Sequence, residues 1–204
     1  MSIVIVRHGE TVLNAARVLQ PADTPLGERG LAQAAAVARR LAGSGVAAIL
    51  SSDLPRALQT AQAIAATTGA PVETTPLLQE RNFGTWRGRP YDAIGADPLT
   101  LAGTPPDGES VETFVARVDA AFAFAVQRRA ALDGALVVVT HGLVVRAMLE
   151  RHLALGAGLA LPAQVRNTSV TIAEASPPHR ASLVDCVRHL DAASAHDTRS
   201  LSGG

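Results

Sequence analysis

Ile3-Val4-Ile5-Val6-Arg7-His8-Gly9-Glu10-Thr11 is the stretch on which the reading of this chain turns. Its β-branched run reads as a short strand buried on both faces, as in a parallel sheet. An arginine, a histidine and a glycine follow at once, at the strand end where open α/β sheets hold their ligands. A neutral imidazole there can act as a nucleophile, and an adjacent guanidinium can grip an oxyanion through its planar fork. For this pair alone, a surface turn with incidental charges is the bland alternative. Ala135-Leu136-Val137-Val138-Val139 is a second such run and ends in Thr140-His141-Gly142. A third, Val46-Ala47-Ala48-Ile49-Leu50, ends in Ser51-Ser52-Asp53-Leu54-Pro55-Arg56. There Asp53 suits a helix N-cap and Pro55 a first turn, with Arg56 facing back toward the strand end. Arg7, Arg56, His8 and His141 therefore converge where strand-to-helix junctions meet.

With 204 residues the chain can bury one substantial core without splitting into domains. Hydrophobic residues make up 48% and aromatics only 3%, so Ala, Val and Leu must build that core. Formal net charge is zero, which gives no electrostatic case for nucleic acid or an acidic membrane. All 18 basic residues are arginine, so a phosphate site must draw on arginine, histidine and backbone amides. No apolar run approaches the length that spans a bilayer, and Met1-Ser2 leads into strand rather than a signal peptide. The single cysteine, Cys186, excludes an intrachain disulfide framework and fits a reducing cytosol. A cytoplasmic protein is expected.

Helical and strand patterns alternate along the chain. Helices are predicted over 31–41, 54–68, 110–132 and 143–153, with late strands over 165–173 and 181–187 near a sheet edge. The helix over 110–132 carries Val111, Phe114, Val115, Val118, Phe122 and Val126 as one apolar stripe. Such alternation implies a mostly parallel sheet covered on both faces, a three-layer α/β/α sandwich. Residues 81–109 differ: they hold five glycines and four prolines, with Trp86 and Tyr91, and no long periodic pattern. A lid over the site is the expected role, a plain surface excursion the alternative. Residues 1–190 form the expected domain, and 191–204, rich in Ala and Ser, a mobile tail.

The ordered set of motifs resembles the histidine phosphatase superfamily, also called phosphoglycerate mutase-like. The matching pieces are Arg7-His8-Gly9-Glu10-Thr11, the segment from Ser51-Ser52-Asp53-Leu54-Pro55-Arg56 to Ala61, and Thr140-His141-Gly142. Leu78-Gln79-Glu80-Arg81-Asn82-Phe83-Gly84-Thr85-Trp86-Arg87-Gly88 is similar to the family's block carrying the acid. Asp23-Thr24-Pro25-Leu26, Gly30 and Gln33-Ala34 form another shared block, and the resemblance runs from residue 3 to about 190.

This resemblance implies a phosphoglycerate mutase-like fold and a set of roles. His8 is the nucleophile that forms a phosphohistidine, and its other ring nitrogen needs an acceptor to fix the tautomer, a role a nearby backbone carbonyl could serve. Arg7, Arg56 and His141 bind the equatorial phosphoryl oxygens. Glu80 donates a proton to the leaving oxygen and later takes one from water, which requires a raised pKa. Asn14, Gln20, Arg81, Trp86 and Arg87 are the candidate substrate contacts; turn chemistry for the amides and pinning of the insert for Trp86 are the alternatives. No metal or other cofactor is implied. His152, His179, His189 and His196 read as structural or solvated.

Several positions depart from the family pattern. Arg87 stands where related phosphatases often carry glutamate, which favours a more anionic substrate or merely faces solvent. Pro21 and Gly27 also differ, and Asn82-Phe83 replaces the His and Tyr of the mutases. These differences favour a metal-independent phosphatase acting on small phosphorylated metabolites. The alternatives are a phosphoglycerate mutase, a phosphoprotein or phosphohistidine phosphatase, and a non-catalytic phospho-ligand-binding module. Oligomeric state is left open, a homodimer being one option.

Overall fold

The computed structural model describes residues 2–94 and 103–190. In chain order its elements are β1 (Ser2–Arg7), the short helix α1 (Val12–Ala15), α2 (Glu28–Leu41), β2 (Val46–Ser52), α3 (Pro55–Thr68) and β3 (Val72–Thr75), followed by α4 (Val111–Ala130), β4 (Ala135–Thr140), α5 (Gly142–Arg151), β5 (Ala154–Leu155), β6 (Val170–Glu174) and β7 (Arg180–Cys186). The strands form one sheet in the order β3-β2-β4-β1-β6-β7-β5. From β3 to β1 every pairing is parallel. The runs read as buried strands are β1, β2 and β4, at the centre of this half.

Alternating side chains of these strands feed two separate cores. Ile3, Ile5, Leu50, Leu136 and Val138 pack with Phe114, Val118 and Phe122 of α4 and with Leu143, Val144 and Met148 of α5. Val4, Val6, Ile49, Val137 and Val139 pack on the opposite face with Val37 and Leu41 of α2 and with Ala57, Ala61 and Ile64 of α3. The result is a three-layer α/β/α sandwich with a mostly parallel sheet. Its helix faces are rich in alanine, which lets the backbones approach the sheet closely.

The sequence places α2 to α5 within a few residues of their ends. Pro55 opens α3 and Gly69, at φ 74°, closes it in the left-handed region. Asp53 does not cap that helix. Leu54 occupies the N-cap without a side-chain bond, while the exposed Asp53 carboxylate accepts from Gln79 Nε2 at 2.8 Å. The apolar stripe of α4 is rotated from expectation: Phe114, Val118, Ala121, Phe122 and Ala125 are buried, leaving Val111, Val115 and Val126 half-buried at its margin. The late strands also sit differently. β6 lies inside the sheet between β1 and β7, and the two-residue β5 forms that edge. The polar Thr171 of β6 is tolerated inside the sheet because its hydroxyl accepts from Asp185 N at 3.2 Å.

Among the described residues no helix is long and apolar enough to cross a membrane. The tail expected over 191–204 lies outside the described residues, as do residues 95–102 of the insert.

Candidate active site

Strand register brings the motifs together. Arg7 pairs with Thr140 across β1 and β4, and Ser51 pairs with Val139 across β2 and β4. The residues that follow these strands, His8, His141 and the turn leading to Arg56, therefore share one edge of the sheet. Arg7, His8, His141, Arg56 and Glu80 are all buried. The His8 and His141 rings lie 5.0 Å apart, tilted to each other.

His8 Nδ1 lies 2.6 Å from the Gly9 carbonyl oxygen. A carbonyl can only accept, so Nδ1 carries the proton and the lone pair of the neutral ring is on Nε2. The His8 backbone is held from two sides. Asn167 Nδ2 donates to its carbonyl at 2.9 Å, and Gly9 N donates to Thr60 Oγ1 at 3.1 Å. Thr168 N donates to the Arg7 and His8 carbonyls at 3.0 and 3.3 Å, with Thr168 held at φ 53°. Two glycines allow this loop to lie on the first turn of α2. A β-carbon on Gly30 would overlap the Glu10 carbonyl oxygen, and one on Gly9 would come within 2.5 Å of the Gly30 carbonyl oxygen.

Arg7, Arg56 and His141 are the buried polar groups that join His8 at this edge. Arg7 NH1 is anchored on the Val165 carbonyl at 2.6 Å, and burial pushes its guanidinium down from the usual arginine range. Arg56 NH1 reaches the Pro21 and Ala22 carbonyls at 3.4 Å each. Burial pushes Arg56 down to about 10, with Glu80 opposing and the charges of Arg87 and Arg7 adding to the fall. At about 10, Arg56 stays cationic at neutral pH. His141 Nε2 is 2.9 Å from Ser52 Oγ; that oxygen accepts from Leu54 N, and its hydroxyl can donate to Nε2, which leaves the N–H of the neutral ring on Nδ1. Burial, followed by Arg56, His8 and Arg7, holds His141 well below the usual histidine range, so its ring is neutral. Arg56 Nε and His141 Nδ1 have no hydrogen-bond partner among the described residues.

Glu80 closes the site from the chain that follows β3. Its Oε1 accepts from Arg81 N at 3.0 Å and its Oε2 from Leu143 N, in the first turn of α5, at 3.1 Å. Burial pushes the carboxyl up to about 7, against those two backbone bonds and the charges of Arg56 and Arg7. Such a group can give and take a proton near neutrality. An ionisable carboxyl, a neutral imidazole and a guanidinium pair fit a transferring phosphoryl group.

The family model described as the histidine phosphatase superfamily (branch 1) matches residues 3–184. The chain belongs to that superfamily. It is 35% identical over 181 residues to the probable phosphoglycerate mutase GpmB of Yersinia pestis (strain Pestoides F), covering 84% of this chain and 83% of that protein. Among solved structures it resembles Bacillus stearothermophilus YhfR, with a TM-score of 0.79, 28% identity, and coverage of 93% of this chain and 99% of that one. The mycobacterial glucosyl-3-phosphoglycerate phosphatase complexed with VO3 has a TM-score of 0.72 and 30% identity, covering 85% of this chain and 90% of its own. This chain is an enzyme of the histidine phosphatase type.

Within this histidine phosphatase the candidate substrate contacts separate into two groups. Asn14 Oδ1 accepts from Thr11 N, and Gln20 Oε1 accepts from Thr11 Oγ1 at 2.6 Å. Both amides thereby turn their NH2 groups away from Thr11, and neither Nδ2 of Asn14 nor Nε2 of Gln20 has a partner among the described residues. Arg87 is half-buried and near enough to bear electrostatically on Arg56. Arg81 faces the insert and Trp86 the core instead. Arg81 Nε donates to the Glu109 carbonyl at 3.0 Å and NH2 to the Gly103 carbonyl at 2.8 Å, while Trp86 packs against the α4/α5-side core.

Sequence reasoning missed Asn167, Thr168 and Arg117, which hold the loops, and met Ser52 and Thr60 only as members of the Ser51–Ala61 block. They act mostly on backbone atoms, which leave no motif of their own; Gln33, which accepts from Glu10 N at 2.8 Å, was legible only within a shared block. The remaining histidines have structural partners. His152 stacks on Phe122 at 4.5 Å and meets Asp119, His179 meets the edge of the same ring, and His189 bridges Arg40 and Thr168. His196 lies outside the described residues. Among the described residues no three of His, Cys, Asp and Glu are grouped to hold a metal ion.

Proposed function

We propose that this enzyme hydrolyses phosphate monoesters of small metabolites through a phosphohistidine on His8. The observation that carries this reading is the Nδ1 contact of His8 with the Gly9 carbonyl at 2.6 Å, which directs the lone pair to Nε2. In the first step Nε2 attacks phosphorus and the ester P–O bond breaks. The Glu80 carboxyl proton goes to the departing alkoxide, and Arg7, Arg56 and His141 hold the equatorial oxygens. Water then attacks the phosphohistidine, Glu80 takes its proton, the P–N bond breaks, and inorganic phosphate leaves. Every proton and counter-charge in this cycle belongs to a named side chain. The NH2 groups of Asn14 and Gln20 are proposed to contact the bound ester, with Arg87 attracting any further anionic group on it. Arg81 and Trp86 are proposed to support the described ends of the segment over 81–109, the segment expected as a lid.

The test is phosphate release from a panel of phosphorylated metabolites. Release without transfer to an organic acceptor is expected. The likeness to a probable phosphoglycerate mutase supports a second reading, in which the phosphoryl group returns to an organic hydroxyl. Interconversion of 2- and 3-phosphoglycerate, dependent on a bisphosphoglycerate primer and faster than phosphate release, would establish that reading instead.

A further inference from the structure

The guanidinium of Arg117, on α4, contacts no carboxylate oxygen of Glu80 yet organises the chain around it. NH1 donates to the Leu77 carbonyl at 2.9 Å and to the Gln79 carbonyl at 2.7 Å. NH2 reaches the Glu80 carbonyl at 3.4 Å. The same group forms a two-pronged pair with Glu109, Nε to Oε1 at 2.8 Å and NH2 to Oε2 at 2.7 Å. Glu109 in turn accepts from Asn82 N at 3.2 Å, and its own N–H donates to the Asn82 carbonyl at 2.7 Å. The side chains of the pair are only 18% and 10% exposed, so solvent screens them weakly. From the sheet side, Thr140 Oγ1 holds the Leu78 carbonyl at 2.7 Å. Residues 77–82 are thus clamped between α4 and the end of β4.

We propose that Arg117 is the positioning residue of the general acid, and that Glu109 couples its grip to the end of the 81–109 segment. This inference rests on the phosphohistidine reading above. Five N–H groups in one rigid plane suit the task, and a lysine ammonium cannot reproduce that fork. Glu80 depends on its backbone because its own Arg81 N–H and the Leu143 N–H are what its carboxyl bonds. A shift of about an ångström would break this geometry, and misplacement on that scale can cost about a hundredfold in rate. The charged groups facing Glu80 are Arg56 from α3, Arg7 from β1 and Arg81 on its own segment. On Glu80 Arg117 acts through the backbone, while its charge also bears on His141.

A cavity of about 280 Å³ adjoins the clamp, lined by Gln79, Glu80, Asn82, Glu109, Thr113 and Arg117. Truncating Arg117 enlarges it, which provides a test by rescue. The rate of phosphohistidine formation is measured by single turnover for an alkyl phosphate and for p-nitrophenyl phosphate, in wild type, Arg117→Ala, Arg117→Lys and Glu109→Gln. Arg117→Ala should lose about a hundredfold with the alkyl ester and less than tenfold with the aryl ester, whose leaving group needs little protonation. Added guanidinium chloride at millimolar concentration should restore much of the alkyl-ester rate in Arg117→Ala and none in Arg117→Lys. Glu109→Gln should show the same leaving-group bias at smaller size, and serves if Arg117→Ala fails to fold. Equal losses on both esters, or a folded Arg117→Ala that guanidinium does not help, would overturn the proposal. Absence of any phosphohistidine in the wild type would instead overturn the functional reading itself.

Discussion

At His8 the two ring nitrogens have different tasks, one bonding a carbonyl and the other presenting its lone pair. The arginines beside it are equally specific in form. Arg56→Lys keeps the charge but loses the planar fork, and kcat should fall about a hundredfold or more. A lysine variant with wild-type turnover would show that Arg56 does not grip the phosphoryl group. Glu80 links function to stability. Its folded pKa lies near 7 against an ordinary 4.5, so the folded state holds this proton more tightly than the unfolded chain. Its protonated form is accommodated in full below pH 4.5; stability is lost as pH rises from there through 7, by about 3 kcal/mol. Glu80→Gln should therefore be more stable than wild type at pH 8 and much closer to it at pH 4.5, read from urea midpoints. A difference independent of pH would place the carboxyl in a solvated setting. In catalysis the same variant should be slow on alkyl phosphates and nearer to wild type on p-nitrophenyl phosphate in the first step. For the wild type, kcat/KM on alkyl esters should decline as pH rises past about 7, because the acid form of Glu80 is lost.

At the scale of elements, the site is a consequence of strand register. β1, β2 and β4 end together, and each delivers its polar residues to the same edge. This much is legible in the sequence because buried parallel strands are continuous apolar runs with an abrupt polar end. β3 is not legible: Val72-Glu73-Thr74-Thr75 lies at the sheet edge, where no core demands an apolar run. α1 is a single short turn held by a capping box between Thr11 and Asn14, too brief to show periodicity. Arg117 escapes notice because its partners are mostly carbonyls, which every residue carries. Asp53 misleads for the opposite reason, since its side chain finds Gln79 rather than the helix end. The contact of the His8 loop with α2 gives a further expectation. Gly30→Ala forces the Glu10 carbonyl away, and should cost about 1–3 kcal/mol of stability together with much of the activity. A variant with unchanged urea midpoint and turnover would show that the loop yields freely.

For the whole molecule, a single sheet with helices on both faces supports the site, and the antiparallel strands β6 and β7 extend it beyond β1. Those strands contribute indirectly, because the segment before β6 supplies Asn167 and Thr168 to the His8 carbonyl. The described residues at the two ends of the 81–109 segment are tied to the chain carrying Glu80, the proposed acid, through Arg81, Glu109 and Arg117. Strand ends thus hold His8, the proposed nucleophile, while Glu80, the proposed acid, belongs to a clamped loop. In the proposed cycle His8 carries the phosphoryl group between the two half-reactions. This role is tested most directly by rapid quenching with a radiolabelled phosphate ester, followed by mapping of the labelled peptide. Acid-labile, base-stable label on His8, absent together with turnover in His8→Ala, is the predicted result. Label on another residue, or full turnover in the His8→Ala variant, would contradict it.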